Sequence, residues 1–493
     1  MRPYISLTTI FLALAVAAGC AVGPDFQRPA APAVKGYTPQ PLPVQTTSVE
    51  VKGGEAQRFM HDLDIPGQWW TLFHSNPLNE LIEQALKANP DLDSAKAALR
   101  VALETLYAQK GAFFPSVEVN FIPTRQKTAG ILTSALANNN YIYSLHTAQV
   151  AVSYAPDVFG GLRRQVESLK AQADSQRFQL EAAYLTLTSN VGAAAIQEAG
   201  LRGQIAATKQ LIDIQRQSLG LLKRQYELGQ VAVLDVAAQE AALAQTEAAL
   251  PPLEKQLAQQ RDLLARLAGH FPSEALTEKF ELSSLQLPQD LPVSLPAKLV
   301  EQRPDVRSAE EQLHSASAEI GVAIANRLPN LTISANLGSA SDAFNKLFGG
   351  ATGFWTLAGL ITQPIFQGGT LLHRQRAAEA AFDQAAAQYR STVLSAFQDV
   401  ADTLHAIQSD AETLKAALAA DRAAAKSLSI TRQRLELGDI SYLSLLSAQQ
   451  TYLQAEIVLV VAQANRYADT VALFQALGGG WWNRSDVPAG LGG

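Results

Sequence analysis

Few residues in this 493-residue chain have the type and spacing for covalent or metal chemistry. Its one cysteine, Cys20, rules out an internal disulfide and a cysteine-built zinc cluster, and leaves a single thiol nucleophile. The histidines (His61, His74, His146, His270, His314, His373 and His405) are scattered, and no two share metal-ligand spacing. There is no P-loop, no nucleophile elbow and no His-Glu-x-x-His run. No metal, no redox or nucleotide cofactor and no enzymatic activity is expected. The one chemical step the sequence announces is a modification of Cys20.

The residues before Cys20 prepare it for that step. Arg2 gives a positive start, residues 5–18 form a largely apolar run without charge, and Ala17-Ala18-Gly19 are small. This reads as a secretory signal peptide over 1–19, too short for a transmembrane span. Ala17-Ala18-Gly19-Cys20 resembles a bacterial lipobox, with Ala17 where Leu is usual. Cleavage then makes Cys20 the new N-terminus, carrying S-linked diacylglycerol and an N-acyl chain, enough acyl chains for stable anchoring. The next residue is Ala21; an Asp there would point to retention at the inner membrane. Residues 20–47, rich in Pro, Thr and Gln, read as a lipid-anchored extended tether.

The body that follows is neither disordered nor basic. Hydrophobic residues make up 47% and charged residues 17%, below the ~25% of typical domains. A net charge of −6 without a Lys/Arg cluster gives no footprint for nucleic acid.

The body also repeats itself. Pro90-Asp91, Leu99 and Pro115 return as Pro304-Asp305, Leu313 and Pro329. Phe159 and Gly160-Gly161 return as Phe366 and Gly368-Gly369, and Glu227-Leu228-Gly229 returns as Glu436-Leu437-Gly438. A period this long is a duplicated domain rather than a solenoid. The first copy is placed at 48–270, with a helix from Pro90, strands at 116–124 and 142–154, and long helices at 161–228 and 233–269. A connector covers 271–303. The second copy is placed at 304–478, with strands at 331–338 and 354–363 and helices at 370–437 and 442–477. A tail, 479–493, ends the chain.

The strand alternation is weak, as in strands that cross an outer membrane. Four strands cannot close a barrel in lipid, whereas three chains would supply twelve. A helix over 163–226 would be ~96 Å long, far beyond the globular mean, which implies a coiled coil or bundle. Leu443, Leu446, Gln450, Leu453, Ile457, Val460, Ala464, Tyr467, Val471 and Phe474 keep an unbroken 3,4 spacing, a coiled-coil seam. Val236, Gln239, Leu243, Thr246, Leu250, Leu253, Leu257, Gln260, Leu264 and Leu267 do the same, with Pro251-Pro252 expected to kink that helix. Gly229 and Gly438 sit where each long helix needs a left-handed residue to stop.

Taken together, these strings resemble the TolC/OprM-type outer-membrane efflux family in its NodT-like lipoprotein branch. The carriers are Cys20-Ala-Val-Gly-Pro-Asp-Phe, Trp69-Trp70-Thr-Leu-Phe, Pro77-Leu-Asn-Glu-Leu-Ile82, Asn89-Pro-Asp-Leu, the Phe159-Gly-Gly and Pro364-Ile-Phe-Gln-Gly-Gly369 turns, and both tips. The resemblance spans essentially the whole mature chain. It implies a mainly α fold with a small β part: a homotrimeric 12-stranded transmembrane β-barrel continued by a periplasmic α-helical coiled-coil barrel. It further implies an outer-membrane exit duct that passively conducts small molecules, a periplasmic adaptor docking at the tips Leu228, Gly229, Leu437 and Gly438, and an inner-membrane pump of the resistance–nodulation–division class. A type I secretion duct and a non-conducting structural lipoprotein are the alternatives. The family narrows its periplasmic end just after the second tip; here those positions are Leu443, Ser444, Ser447 and Gln450, with Asp235 after the first tip. Two positions that often hold Asp are serines, which puts a carboxylate ring in doubt.

Overall fold

A computed structural model describes residues 21–41, 43–61, 63–129, 141–274 and 276–485. The signal segment 1–19, Cys20, residues 130–140 of the loop before the strand that starts at Ile142, and the end of the tail lie outside the described residues. In chain order the elements are β1 (Arg58–Met60), α1 (Asn76–Ala88), α2 (Pro90–Gly111), β2 (Ser116–Lys127), β3 (Ile142–Tyr154), α3 (Gly161–Glu227), α4 (Val233–Leu267), β4 (Asp290–Pro292), α5 (Pro296–Gln302), α6 (Pro304–Ala325), β5 (Asn330–Ser341), β6 (Gly353–Thr362), α7 (Thr370–Glu436) and α8 (Tyr442–Ala476). The two copies match element for element. α3 and α7 each have 67 residues, α4 and α8 each 35, and the boundaries of these long helices repeat 209 positions on. That constant offset corrects the shorter one read from Phe159 and Phe366: the slack lies in the strand-to-helix turns, not in the helices.

The chain divides into two compact units. One holds residues up to Pro29, Leu99–Gln176 and Ala309–Tyr389, and contains an antiparallel sheet of order β2-β3-β5-β6. Weak along each strand, the alternation becomes plain across the sheet. Val119, Val150, Leu337 and Trp355 lie opposite one another in one row, and Val117, Val152, Ala335 and Leu357 in another. The intervening rows are Glu118, Ala151, Asn336 and Thr356, then Ser116, Ser153, Ser334 and Ala358. Directly opposed residues share a face and successive residues change face, so one face is apolar and the other largely polar. Val119, Val150, Leu337 and Trp355 are all exposed. Among the described residues, the outer strands β2 and β6 each pair on one side only. β2 and β5 outlast the apolar pattern, reaching Lys127 and Ser341, because backbone pairing of both with β3 continues past it.

The other unit holds Ala30–Ala98, Arg177–Ser308 and the chain from Arg390. Its core gathers Trp69, Phe73, Leu78, Leu81, Ile82, Tyr467 and Phe474, all fully buried. Trp69 stacks on Phe474 with centroids 5.3 Å apart, and Gly192 lies against Trp69 and Val471, where a side chain would fill the contact. Asn89 closes α1 and opens α2: its amide donates to Leu267 O at 3.0 Å while its Oδ1 accepts the N–H of Asp91 and Leu92. α4 runs unbroken through Pro251-Pro252, both exposed, so the expected kink does not end the helix.

The α4 seam is buried or half-buried throughout. The α8 seam is not. Leu446 is buried, but Leu443 and Gln450 face out, and Leu445 and Gln449 are buried instead. A straight helix at 3.6 residues per turn drifts against a strict 3.5 repeat, and the packed stripe moves off the seam.

Candidate functional site

Both long-helix tips are Schellman motifs. Gly229 has φ 72 and Gly438 φ 76. The Gln230 N–H donates to Gln225 O and the Gly229 N–H to Tyr226 O, each at 2.8 Å. At the second tip the Asp439 N–H donates to Arg434 O at 2.9 Å and the Gly438 N–H to Leu435 O at 3.0 Å. The left-handed glycine lets the turn close on its own carbonyls. Leu228 and Leu437 are left exposed, at 72% and 76%. Each repeat thus holds one apolar side chain outward on a closed turn, as a knob.

The residues after the tips divide by role. The Asp235 carboxylate accepts the Ala232 N–H at 3.3 Å, satisfying a free donor at the start of α4 and sitting near the positive helix end. Ser444, its counterpart in α8, meets Ser441 Oγ to Oγ at 3.2 Å, so the same turn is closed without a charge. Leu443, Ser447 and Gln450 lie one and two turns apart and are exposed, with Ser444 beside them. They present a face of mixed polarity rather than a carboxylate set. Gln215 on α3 and Gln239 on α4 are wholly buried, and the Gln239 amide donates to Gln215 O at 2.8 Å.

The segment after Cys20 does not hang free. The Val22 N–H donates to Phe159 O at 3.1 Å, and Gly23 packs directly on Gly321, where no side chain fits. Arg164, almost wholly buried, donates to Val22 O at 3.1 Å and to Asp25 Oδ1 at 2.6 Å. Arg28 pairs with Glu310 at 2.9 Å. Phe26 lies on the His314 ring, and His314 meets Glu167 through Nε2 at 3.0 Å and Glu311 through Nδ1 at 3.3 Å. The Glu311 hydrogen bond, with help from Glu167 and against partial burial, holds the imidazole pKa above its ordinary value. Of the expected tether, the segment from Val22 to Arg28 is therefore a clamped strap. Its partners Glu167, Glu310, Glu311 and His314 come from two helices distant in sequence, and no local spacing announced them.

The family described as outer membrane efflux protein matches residues 81–270 and 295–479. The toluene efflux pump outer membrane protein TtgF of Pseudomonas putida is 30% identical over 498 aligned residues, covering 97% of this chain and 98% of that protein. The probable outer membrane lipoprotein SilC of Salmonella typhimurium is 28% identical over 97% of this chain and 98% of its own length. Among solved structures, the outer-membrane channel OprN superposes with a TM-score of 0.82 at 26% identity, covering 94% of this chain and all of that one.

Proposed function

Because this chain belongs to the outer membrane efflux protein family, we propose that it is the exit duct of a tripartite efflux pump, working as a lipid-anchored homotrimer. The family places it in the outer membrane as an efflux component.

The observation that carries the trimer is the sheet. Its alternate rows are apolar and polar, and among the described residues both outer strands lack a neighbour on one side. Lipid does not tolerate an open edge, and four strands are too few to close. Three copies joined edge to edge give twelve strands, with the Val119–Trp355 row toward lipid and the Glu118–Thr356 row toward a wet lumen. Lipid on Cys20, followed directly by the clamped strap, anchors each copy at the membrane surface.

The knobs Leu228 and Leu437 are the docking points for a periplasmic adaptor that links the duct to an inner-membrane pump of the resistance–nodulation–division class. Leu443, Ser444, Ser447 and Gln450 form the constriction, an apolar and hydroxyl-lined one without a ring of carboxylates. The duct spends no energy. It opens by a rigid shift of packed helices and conducts what the pump delivers.

The test is mass by light scattering of the detergent-extracted mature protein, followed by conductance in a planar bilayer. A trimer whose low, flickering conductance rises when Leu443→Ala or Gln450→Ala widens the constriction supports the reading. A monomer, or a trimer silent with both substitutions, overturns it.

A further inference from the structure

The apolar face of the sheet does not end the same way in both directions. Continued along β2 from the Val117 and Val119 rows, that face carries Phe121, Pro123, Arg125 and Lys127, all exposed. Opposite them lie Ala148 and Ser339, then His146 and Ser341, then Ser144, then Ile142. In the other direction the face ends on Tyr154, Ile333 and Gly359, then on Leu331 and Ile361, without a charge. Cations therefore cap the apolar face at one end only, the end away from α2, α3, α6 and α7.

Their height can be set against a bilayer. From Leu331 to Ser339 the face runs ~27 Å along β5, or ~20 Å in height at a strand tilt near ~40°. That approaches the ~25 Å apolar band of outer-membrane barrels. On the same measure Arg125 stands ~10 Å and Lys127 ~16 Å above Phe121. Both fall beyond the hydrocarbon, at the level of headgroups.

The β5–β6 loop marks the boundary. A short helical turn, Phe344–Lys346, follows β5. Phe344 meets Phe121 edge-on at 5.8 Å and His146 at 6.1 Å. Ser339 Oγ donates to Thr352 Oγ1 at 2.7 Å, and Thr352 Oγ1 lies 3.0 Å from Leu347 O and 2.9 Å from Gly349 O. Phe121, His146 and Ser339 all belong to the apolar face, so the loop folds over that face and not over the polar one. It buries Leu347 and leaves Phe344 exposed and Phe348 83% exposed. Bare aromatic rings at the end of an apolar band are what a membrane interface selects. Lys346 in this loop is answered by Asp342 at 3.7 Å. Among the described residues no carboxylate answers Arg125 or Lys127, and the one acid of β2, Glu118, lies on the opposite face.

We propose that Arg125 and Lys127, above the Phe121–Phe344 ring pair, form a binding site for the phosphate-bearing headgroup of an outer-leaflet lipid. The guanidinium takes two phosphate oxygens side by side, and the ammonium adds a point charge next to it. Phe344 and Phe348 lie against the acyl chains just below. The proposal rests on the reading of the sheet as part of an outer-membrane barrel. In that reading β2 is an outer strand, so each site falls at a seam between two copies and a lipid held there braces the joint.

Native mass spectrometry of the full-length protein in an uncharged detergent, titrated with lipid A bis-phosphate, counts the lipids that stay bound. The wild type retains the lipid. Arg125→Gln together with Lys127→Gln lowers its affinity about tenfold or more, and each single substitution does so by several-fold, which keeps the site testable should the double variant fail to fold. Arg100→Gln removes an exposed cation from α2 and changes nothing. Wild-type affinity in the glutamine variants overturns the site. So does equal binding of dephosphorylated lipid A, which leaves acyl contacts alone, or full displacement by excess inorganic phosphate, which leaves a free-anion site. Conductance of the same samples separates this idea from the duct. A conducting trimer whose lipid binding ignores the two cations sinks the site and leaves the duct. A silent protein whose lipid binding depends on them sinks the duct and leaves the site.

Discussion

His314 lies flat against Phe26, ring centroids 4.3 Å apart and planes 13° from parallel, with a glutamate at each of its nitrogens. The imidazolium form satisfies both carboxylates and presents a cation to the Phe26 face. Its pKa is raised chiefly by the Glu311 hydrogen bond. A His raised on folding stabilises fully below its unfolded value of ~6.5, and that contribution is lost as pH rises through the folded value. Protection of residues 21–29 from proteolysis should therefore fall as pH is raised from about 6 to about 9. His314→Ala should give a weakly held strap at every pH. A strap equally protected at both ends of the range would contradict the clamp.

Glu198 is wholly buried and answers two arginines, Arg202 at 2.6 Å and Arg261 at 3.0 Å. Glu198→Gln leaves both cations without a counter-charge in a site only partly open to water. Breaking such a pair costs ~3 kcal/mol, at the lower end of the buried range because the arginines are a quarter exposed. Lys223→Ala removes the solvent-facing pair that Lys223 makes with Glu240 at 2.8 Å and should cost well under ~1 kcal/mol. Denaturant titration of the two variants should separate them by several-fold in lost stability; equal losses would mean that burial does not set the strength of these pairs.

The duplication, the four strands and the four long helices were legible because period-2 and period-3.6 patterns and turn glycines are local signals. Phe366 and Phe159 misled on the offset because turns absorb length changes that helices do not. Leu443 and Gln450 were assigned to the seam because spacing alone cannot show which stripe of a helix meets a neighbour. The strap contacts were not legible at all. Each joins residues distant in sequence, and a lone His in an alanine-rich helix looks like solvated surface until the packing is known. The weak strand alternation was legible only in part: Ala151 and Ala335 blur it along their own strands, and the register restores it.

Gly229 and Gly438 have φ 72 and φ 76, with open space where a side chain would go. Only the backbone conformation opposes alanine there, at ~1 kcal/mol each. Gly220, in the middle of α3, also has open space but an ordinary helical backbone. Gly220→Ala should stabilise by ~0.5–1 kcal/mol, while Gly229→Ala and Gly438→Ala destabilise the tips. Thermal melting checks the first, and loss of adaptor cross-linking without loss of trimer checks the second. Tip variants that dock the adaptor normally would remove these turns from the docking site.

Leu337 and Asn336 are neighbours in β5 that belong to opposite rows of the sheet, Leu337 with Val119, Val150 and Trp355, Asn336 with Glu118, Ala151 and Thr356. If the first row faces hydrocarbon, Leu337→Arg places a cation in lipid, at ~2–4 kcal/mol near the bilayer midplane. Asn336→Arg places the same cation in water and should be tolerated, changing ion selectivity instead. The two variants have identical composition changes in charge and sit one residue apart, so their difference reports only the face. Outer-membrane abundance and unfolding from lipid vesicles should fall for Leu337→Arg and hold for Asn336→Arg. The reverse order would mean that the apolar rows line the interior, and equal tolerance would mean that the sheet does not cross a membrane.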